Sequence, residues 1–199
     1  MALKRQAKTL NRPNFDLVMK HVRMKRNGLR NEAILLLSVK AGLRAKEISD
    51  LTWTMILDPD GIVGDHIHLT DMASKGNSGR SIPLNRDLKQ ALTTLHQISV
   101  ERGFPHAASR HIISTERCDR STPQVIVNLF RRWYGEVGLI GCSSHSGRRT
   151  FITNAARKIS TVGGSLRDVQ ALAGHKSLNT TQRYIEFDSL AQSKVVNII

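Results

Sequence analysis

Apolar residues in the first fifty positions recur at the spacing of helices. A polar cap at Asn14 or Asp16 begins a first predicted helix, which runs to about Arg26. Over residues 31–41 apolar side chains cover most of a helix circumference, which predicts a helix buried nearly all round. A short third helix is predicted over residues 44–51. The buried second helix is therefore expected to form the middle of the core.

The pattern changes to strands in the middle of the chain. Three short pieces, residues 54–57, 66–70 and 81–84, are separated by turns rich in glycine, asparagine and aspartate. The simplest assembly of these pieces is a small three-stranded antiparallel sheet.

Helical spacing returns after residue 86. A helix is predicted over residues 87–102, and Val125, Leu129, Trp133 and Val137 form the apolar stripe of another. Further helices are predicted over 145–159 and 165–173, followed by one that bears Tyr184 and is capped by Asn179 or Thr180. Gly163-Gly164 divides the first two, and Gly174 is suited to a left-handed cap.

This order of elements predicts a mixed α/β, mainly α-helical fold. With 199 residues, one domain over residues 14–190 is expected. Residues 1–13 are basic and without acids, which favours a flexible arm on DNA phosphates; a disordered tail is the alternative. The apolar tail, residues 191–199, requires a partner surface, either on its own subunit or on a neighbour.

Charge and composition indicate the class of binding partner and the cellular compartment. The net charge of +14 and the pI near 10.6 favour binding to DNA or RNA, although charge alone also fits a ribosomal or membrane-surface protein. Cys118 and Cys142 lack the spacing of a zinc site or a disulfide framework, which fits reduced thiols in a cytosol. No apolar run approaches the length of a membrane helix. We therefore expect a cytoplasmic, DNA-associated protein.

Several side chains in the sequence have the chemistry to hold and attack a phosphodiester. Guanidinium groups meet two nonbridging oxygens at once, and Arg44 and Arg148 are the candidates because each lies in a predicted helix near the core. His145, at i,i+3 from Arg148, is suited to proton transfer near neutral pH. His175, held by the Gly174 turn, is a candidate donor to the phosphate, or else a helix-terminal histidine that interacts with the dipole.

Three more residues complete the candidate set. Lys75 lies at a glycine-rich turn, where its ammonium could reach a departing oxygen, although a lone lysine in a turn is usually only solvated. Glu47 follows Arg44 at i,i+3 and is a candidate to orient that guanidinium. Of the two tyrosines, Tyr134 and Tyr184, only Tyr184 follows a Gly-His pair in a basic segment, so it is the candidate nucleophile.

In this ordered set the chain resembles the catalytic domain of the tyrosine recombinase (phage integrase) family over about residues 14–190. The matching segments are Gly42 to Ile48, Lys75, His145 to Arg148, and Gly174-His175 with Tyr184. Any one of them is weakly specific, whereas their order and separations are highly specific.

The resemblance implies DNA transesterification without a metal or any other cofactor. It implies that Tyr184 forms a 3′-phosphotyrosyl bond and that Arg44, Arg148 and His175 hold the phosphate. His145 then serves the tyrosine proton, and Lys75 protonates the leaving 5′-oxygen. It further implies a homo-tetramer on two sites in double-stranded DNA, in which C-terminal tails pack on neighbouring subunits.

The chain also departs from the family pattern. Gly147 and Ala173 stand where leucines are common, and Glu186 stands where a histidine often follows the tyrosine. Most members carry a core-binding domain before the catalytic one, so the chain is either a fragment or a compact member, similar in layout to the fimbrial phase-switch recombinases. Three other functions stay open: a type IB topoisomerase, a DNA-binding regulator that does not cleave, and a basic RNA-binding protein.

Overall fold

The computed structural model describes residues 6–74, 78–101, 110–114 and 118–185. The helices in this part of the chain are α1 (Arg12–Arg23), α2 (Gly28–Lys40), α3 (Ala45–Asp50), α4 (Arg86–Glu101), α5 (Pro123–Glu136), α6 (Ser146–Lys158), α7 (Leu166–Ala173) and α8 (Leu178–Gln182). Two strands, β1 (His66–Leu69) and β2 (Arg80–Pro83), pair antiparallel. The mixed, mainly helical fold is as predicted.

Helix α2 is the centre of the core, as its apolar pattern predicted. It packs against α1, α4 and α6. Its close contact with α6 depends on Gly147, because a Cβ at that position would lie 2.2 Å from the Ser38 Oγ and 3.0 Å from the Val39 Cγ2. The glycine at this position therefore fits the tight packing of α2 on α6.

The sheet is smaller than predicted. Residues 53–55 form a 3-10 turn, and Leu57 makes only an isolated bridge with Val63, so the first expected strand is absent from the described part of the chain. Trp53 is buried in this turn, and backbone bonds from Ile56 and Leu57 to the Trp53 carbonyl close it. Ile56 is therefore buried, and Met55 and Leu57 are partly buried against the core, without pairing as a strand.

The buried face of α5 differs from the predicted stripe. Ile126, Phe130, Trp133 and Tyr134 face the core, whereas Val125 is 39% exposed. The prediction followed strict i+4 steps, which drift around a helix with 3.6 residues per turn. A mixture of i+3 and i+4 steps keeps the stripe on one face.

Part of the segment expected to be a free arm is packed on the domain. Asn11 caps α1 through its side chain, so the helix begins earlier than predicted. Leu10 is buried and donates its N–H to the Thr150 hydroxyl at 2.8 Å, while the Lys8 N–H bonds the Gly141 carbonyl at 3.1 Å. Residues 1–5 lie outside the described part, as do residues 191–199.

A second small apolar cluster joins α6 to α7 and to the turn that follows α8. Its buried members are Ile152, Val169 and Ala173, and Tyr184 packs against it. Gly174 ends α7 in the left-handed conformation, φ 60° and ψ 46°, as predicted. None of the helices in the described ranges is both long and apolar enough to cross a membrane.

Candidate active site

Five of the seven predicted site residues line one cleft of about 570 Å³. The cleft lies where the first turns of α3 and α6 approach the connection between α7 and α8. Its lining includes Arg44, His145, Arg148, His175 and Tyr184. Glu47 lies behind Arg44, and Lys75 falls outside the described residues. The fold thus brings together residues separated by up to 140 positions in the sequence.

Arg148 is the most deeply buried cation of the cleft. Its Nη1 donates to the Gly42 carbonyl at 2.6 Å and its Nη2 to the Ala173 carbonyl at 2.7 Å. Burial, reinforced by the nearby charge of Arg44, lowers the pKa of Arg148 to about 10, so it remains a cation at neutral pH. The two carbonyls fix the plane of the guanidinium fork between α2 and α7.

Arg44 is held by Glu47, one helical turn later. The Glu47 carboxylate accepts the Arg44 backbone N–H at 2.8 Å and its Nη1 at 2.7 Å. Glu47 is fully buried. Burial by itself raises its pKa, but the hydrogen bonds and charges of two arginines outweigh burial, and the pKa lies below its usual value. The carboxylate is therefore ionised and binds Arg44 at the wall of the cleft.

His175 is neutral at physiological pH. Burial and the surrounding charges of Arg148, Arg44 and Arg80 lower its pKa to about 4. The backbone is fixed by Gln170, whose carbonyl accepts the His175 N–H at 3.1 Å and whose side-chain amide donates to the His175 carbonyl at 3.0 Å. The imidazole therefore offers one N–H rather than a charge.

Tyr184 stacks on His175, with ring centroids 5.7 Å apart and planes inclined by 23°. Helix α8 ends at Gln182, so Tyr184 lies in the turn after it and not within a helix as predicted. The cap is Ser177 rather than Asn179 or Thr180, because its side chain accepts the Asn179 N–H. The ring rests on the second apolar cluster while the residue lines the cleft.

The other tyrosine has a different environment. Tyr134 is 1% exposed in the main core, stacked on Phe130. Burial raises its pKa well above the usual value. Its hydroxyl is remote from solvent and protonated, which leaves Tyr184 as the tyrosine that lines the cleft.

His145 occupies the N-cap position of α6 and is exposed. The ring lies at the cleft three residues before Arg148. The positive end of the helix dipole there adds to the arginine charges and favours an anionic ligand.

The domain matches a known family along nearly its whole length. Residues 8–189 match the model of the phage integrase family. The chain belongs to this family.

Other integrase-family proteins resemble the chain in sequence or in fold. Tyrosine recombinase XerC of Bradyrhizobium diazoefficiens is 30% identical over 161 residues, which are 80% of this chain and 46% of that protein. The crystal structure of XerA recombinase matches 95% of this chain and 64% of its own with a TM-score of 0.73 at 19% identity. XerH site-specific recombinase, bound to the difH substrate in a pre-cleavage complex, matches 100% and 56% with a TM-score of 0.73 at 21% identity. The chain spans about half the length of the curated relatives it matches.

Arg80 is a residue of this integrase-family site that the sequence analysis missed. Its Nη1 and Nη2 donate to the two Glu47 oxygens at 3.1 and 3.2 Å, and its Nε donates to the Leu172 carbonyl at 2.9 Å. Nothing in the spacing of Arg80 and Glu47, 33 residues apart, indicates this contact. The guanidinium group of Arg80 packs against Gly174, which has no side chain: a Cβ on Gly174 would lie 2.7 Å from the Arg80 Nη1.

Around the cleft the integrase-family domain has more positive than negative charge. The guanidinium groups of Arg44 and Arg80 bind the carboxylate of Glu47, and that of Arg148 adds a third positive charge nearby. The cleft mouth adds Arg149 and Arg183. A phosphodiester is the ligand that such a site, with a neutral histidine donor, is suited to bind.

Proposed function

We propose that this chain is the catalytic domain of a site-specific DNA recombinase that cleaves and rejoins strands through Tyr184. The observation that supports it most strongly is the stacking of Tyr184 on His175 in the cleft lined by Arg44 and Arg148. These four residues combine a nucleophile with donors for the phosphate it would attack.

The chemistry is a transesterification. The Tyr184 hydroxyl attacks the phosphorus, the bond to the 5′-oxygen breaks, and the products are a 3′-phosphotyrosyl link and a free 5′-hydroxyl. The tyrosine proton goes to His145, and the leaving oxygen receives a proton from Lys75. A 5′-hydroxyl of the partner strand reverses the step, so the energy of the phosphodiester bond is retained and no nucleotide is hydrolysed.

The cationic groups stabilise the charge that develops on phosphorus oxygens. Arg44, Arg148 and His175 hold the nonbridging oxygens in this scheme, and Glu47 keeps Arg44 in place. Removal of one such donor from an enzyme typically costs about 10²–10³ in rate. The proposed partner is double-stranded DNA, with a homo-tetramer on two sites in the cytoplasm.

The direct test is covalent capture on nicked duplexes whose sequence around the nick is randomised. We expect the wild-type chain to form an SDS-resistant adduct from this pool, and Tyr184→Phe to form none while still binding the DNA. Tyr134→Phe is the matched control and should keep the adduct. An adduct that survives in Tyr184→Phe would refute the assignment.

The captured sequences then separate the remaining functions. Joining between two duplexes that contain them supports recombination, whereas relaxation of a supercoiled plasmid without joining indicates topoisomerase activity. Binding without an adduct would indicate a non-cleaving DNA regulator, and preference for RNA without an adduct an RNA-binding protein.

A further inference from the structure

Thr181 is a fully buried threonine that contacts His175, one of the residues that line the cleft. It lies in α8, between His175 and Tyr184 in the sequence. Its Oγ1 is 2.9 Å from the His175 Nδ1. The sequence assigned no role to this residue.

The hydrogen bond can have either direction, and the surroundings of Thr181 decide between them. Among the described residues, the Thr181 hydroxyl has the His175 Nδ1 as its hydrogen-bond partner. Other buried hydroxyls of the domain, such as that of Thr150, donate to a helical carbonyl one turn earlier. If Nδ1 carried the proton, the Thr181 hydroxyl proton would be buried without an acceptor, which costs free energy.

The favoured arrangement is therefore a Thr181 hydroxyl that donates to an unprotonated Nδ1. A neutral imidazole carries a single N–H, and the pKa of about 4 keeps His175 neutral. The proton is then on Nε2, at the opposite side of the ring from Thr181. His175 lines the cleft, and a phosphate oxygen bound there needs a hydrogen-bond donor.

We propose that Thr181 is a positioning residue that holds His175 in the Nε2–H tautomer, so that the ring donates a hydrogen bond to the scissile phosphate. This role rests on the proposed cleavage function. It assigns the threonine no contact with DNA: Thr181 acts through the histidine, in the way that second partners of catalytic histidines select a tautomer.

The tautomer is measured directly by the nitrogen chemical shifts of His175 in the ¹⁵N-labelled full chain, assigned by their loss in His175→Gln. We expect the Nε2–H form in wild type and in Thr181→Ser, and a mixture of both forms in Thr181→Val, which keeps the shape and loses the hydroxyl. A wild-type ring protonated on Nδ1 would overturn the proposal, and this result needs no Thr181 variant, only the wild-type chain and the His175→Gln variant that assigns the signals.

Cleavage of a nicked duplex selected from the random pool provides the second measurement. Thr181→Val should cleave about tenfold more slowly, the loss expected for one hydrogen bond, with DNA affinity within about twofold of wild type. Thr181→Ser should recover most of the rate. Thr153→Val, which alters another buried threonine in α6, is the matched control and should cleave normally.

The two measurements separate the proposals. Thr181→Val with the wild-type cleavage rate and the wild-type tautomer would refute the positioning role. Failure of the wild-type chain to form any adduct would refute the recombinase function, and the nitrogen shifts would still show whether Thr181 selects the tautomer.

Discussion

Both terminal guanidinium nitrogens of Arg80 donate hydrogen bonds to the carboxylate of Glu47, at 3.1 and 3.2 Å. Both side chains are nearly or wholly buried, with relative exposures of 7% and 0%. The pair connects strand β2 to helix α3, and through Glu47 it reaches Arg44 at the cleft. Arg80, which was not predicted as a site residue, therefore supports Arg44 through the predicted residue Glu47.

Replacement of Arg80 should destabilise the fold more than replacement of a surface arginine. We expect Arg80→Gln to lower the free energy of unfolding by about 3 kcal/mol, because it leaves the buried carboxylate of Glu47 with one partner fewer. Arg86→Gln, on the exposed start of α4, should stay within about 0.5 kcal/mol of wild type. Urea unfolding measures both, and equal effects would show that the buried pair contributes little.

The Arg80 effect should not be additive with loss of its partner. Adding Glu47→Gln to Arg80→Gln is expected to cost less than the sum of the single changes, because the double variant contains no uncompensated carboxylate. A double-mutant cycle measures this difference. Additive free energies would mean that the two side chains are not coupled.

Arg148→Lys should lose cleavage far more than DNA binding. Lysine cannot donate to the Gly42 and Ala173 carbonyls as a planar fork, so the cation would lose its fixed orientation at the phosphate. We expect a rate lower by about 10²-fold or more in the adduct assay. Arg157→Lys, exposed near the end of the same helix, is the control. Equal rates for the two variants would contradict a role for the fork.

His175 should resist protonation down to about pH 4, whereas a histidine in the unfolded chain titrates near 6.5. Between these values the unfolded state binds more protons than the folded state, so acid destabilises the fold in this window and stability rises with pH. His175→Gln should show a weaker loss of stability between pH 6.5 and 4. A nuclear magnetic resonance titration of His175 with a midpoint near pH 6.5 would contradict the lowered pKa as the cause of this pH dependence.

Gly147→Ala should destabilise the domain by about 1–3 kcal/mol, because the new methyl group overlaps the Ser38 side chain. The control is Gly135→Ala in α5, where a Cβ would meet no atom within 4 Å. That change should be neutral or stabilising by up to about 1 kcal/mol, since alanine favours helix. Thermal unfolding distinguishes the two, and a neutral Gly147→Ala would show that α2 and α6 can move apart.

The sequence by itself determined the helical frame and most of the candidate site. The burial of α2 followed from its apolar pattern, the left-handed cap at Gly174 from the conformational freedom of glycine, and the choice of Tyr184 from the ordered residues around it. These features depend on local spacing or on residue chemistry, both of which are legible along a chain.

Only the tertiary structure decided which ion pairs and side-chain hydrogen bonds form. The Arg80–Glu47 pair joins residues 33 positions apart, and the Thr181–His175 contact joins α8 to the turn before it, so no periodicity marks either contact. The expected strand at residues 54–57 was wrong for a related reason: strand pairing requires a neighbour, and packing of Trp53 into the core replaced it with a turn. Electrostatic and hydrogen-bond energies depend on distance in space, which the order of residues does not contain.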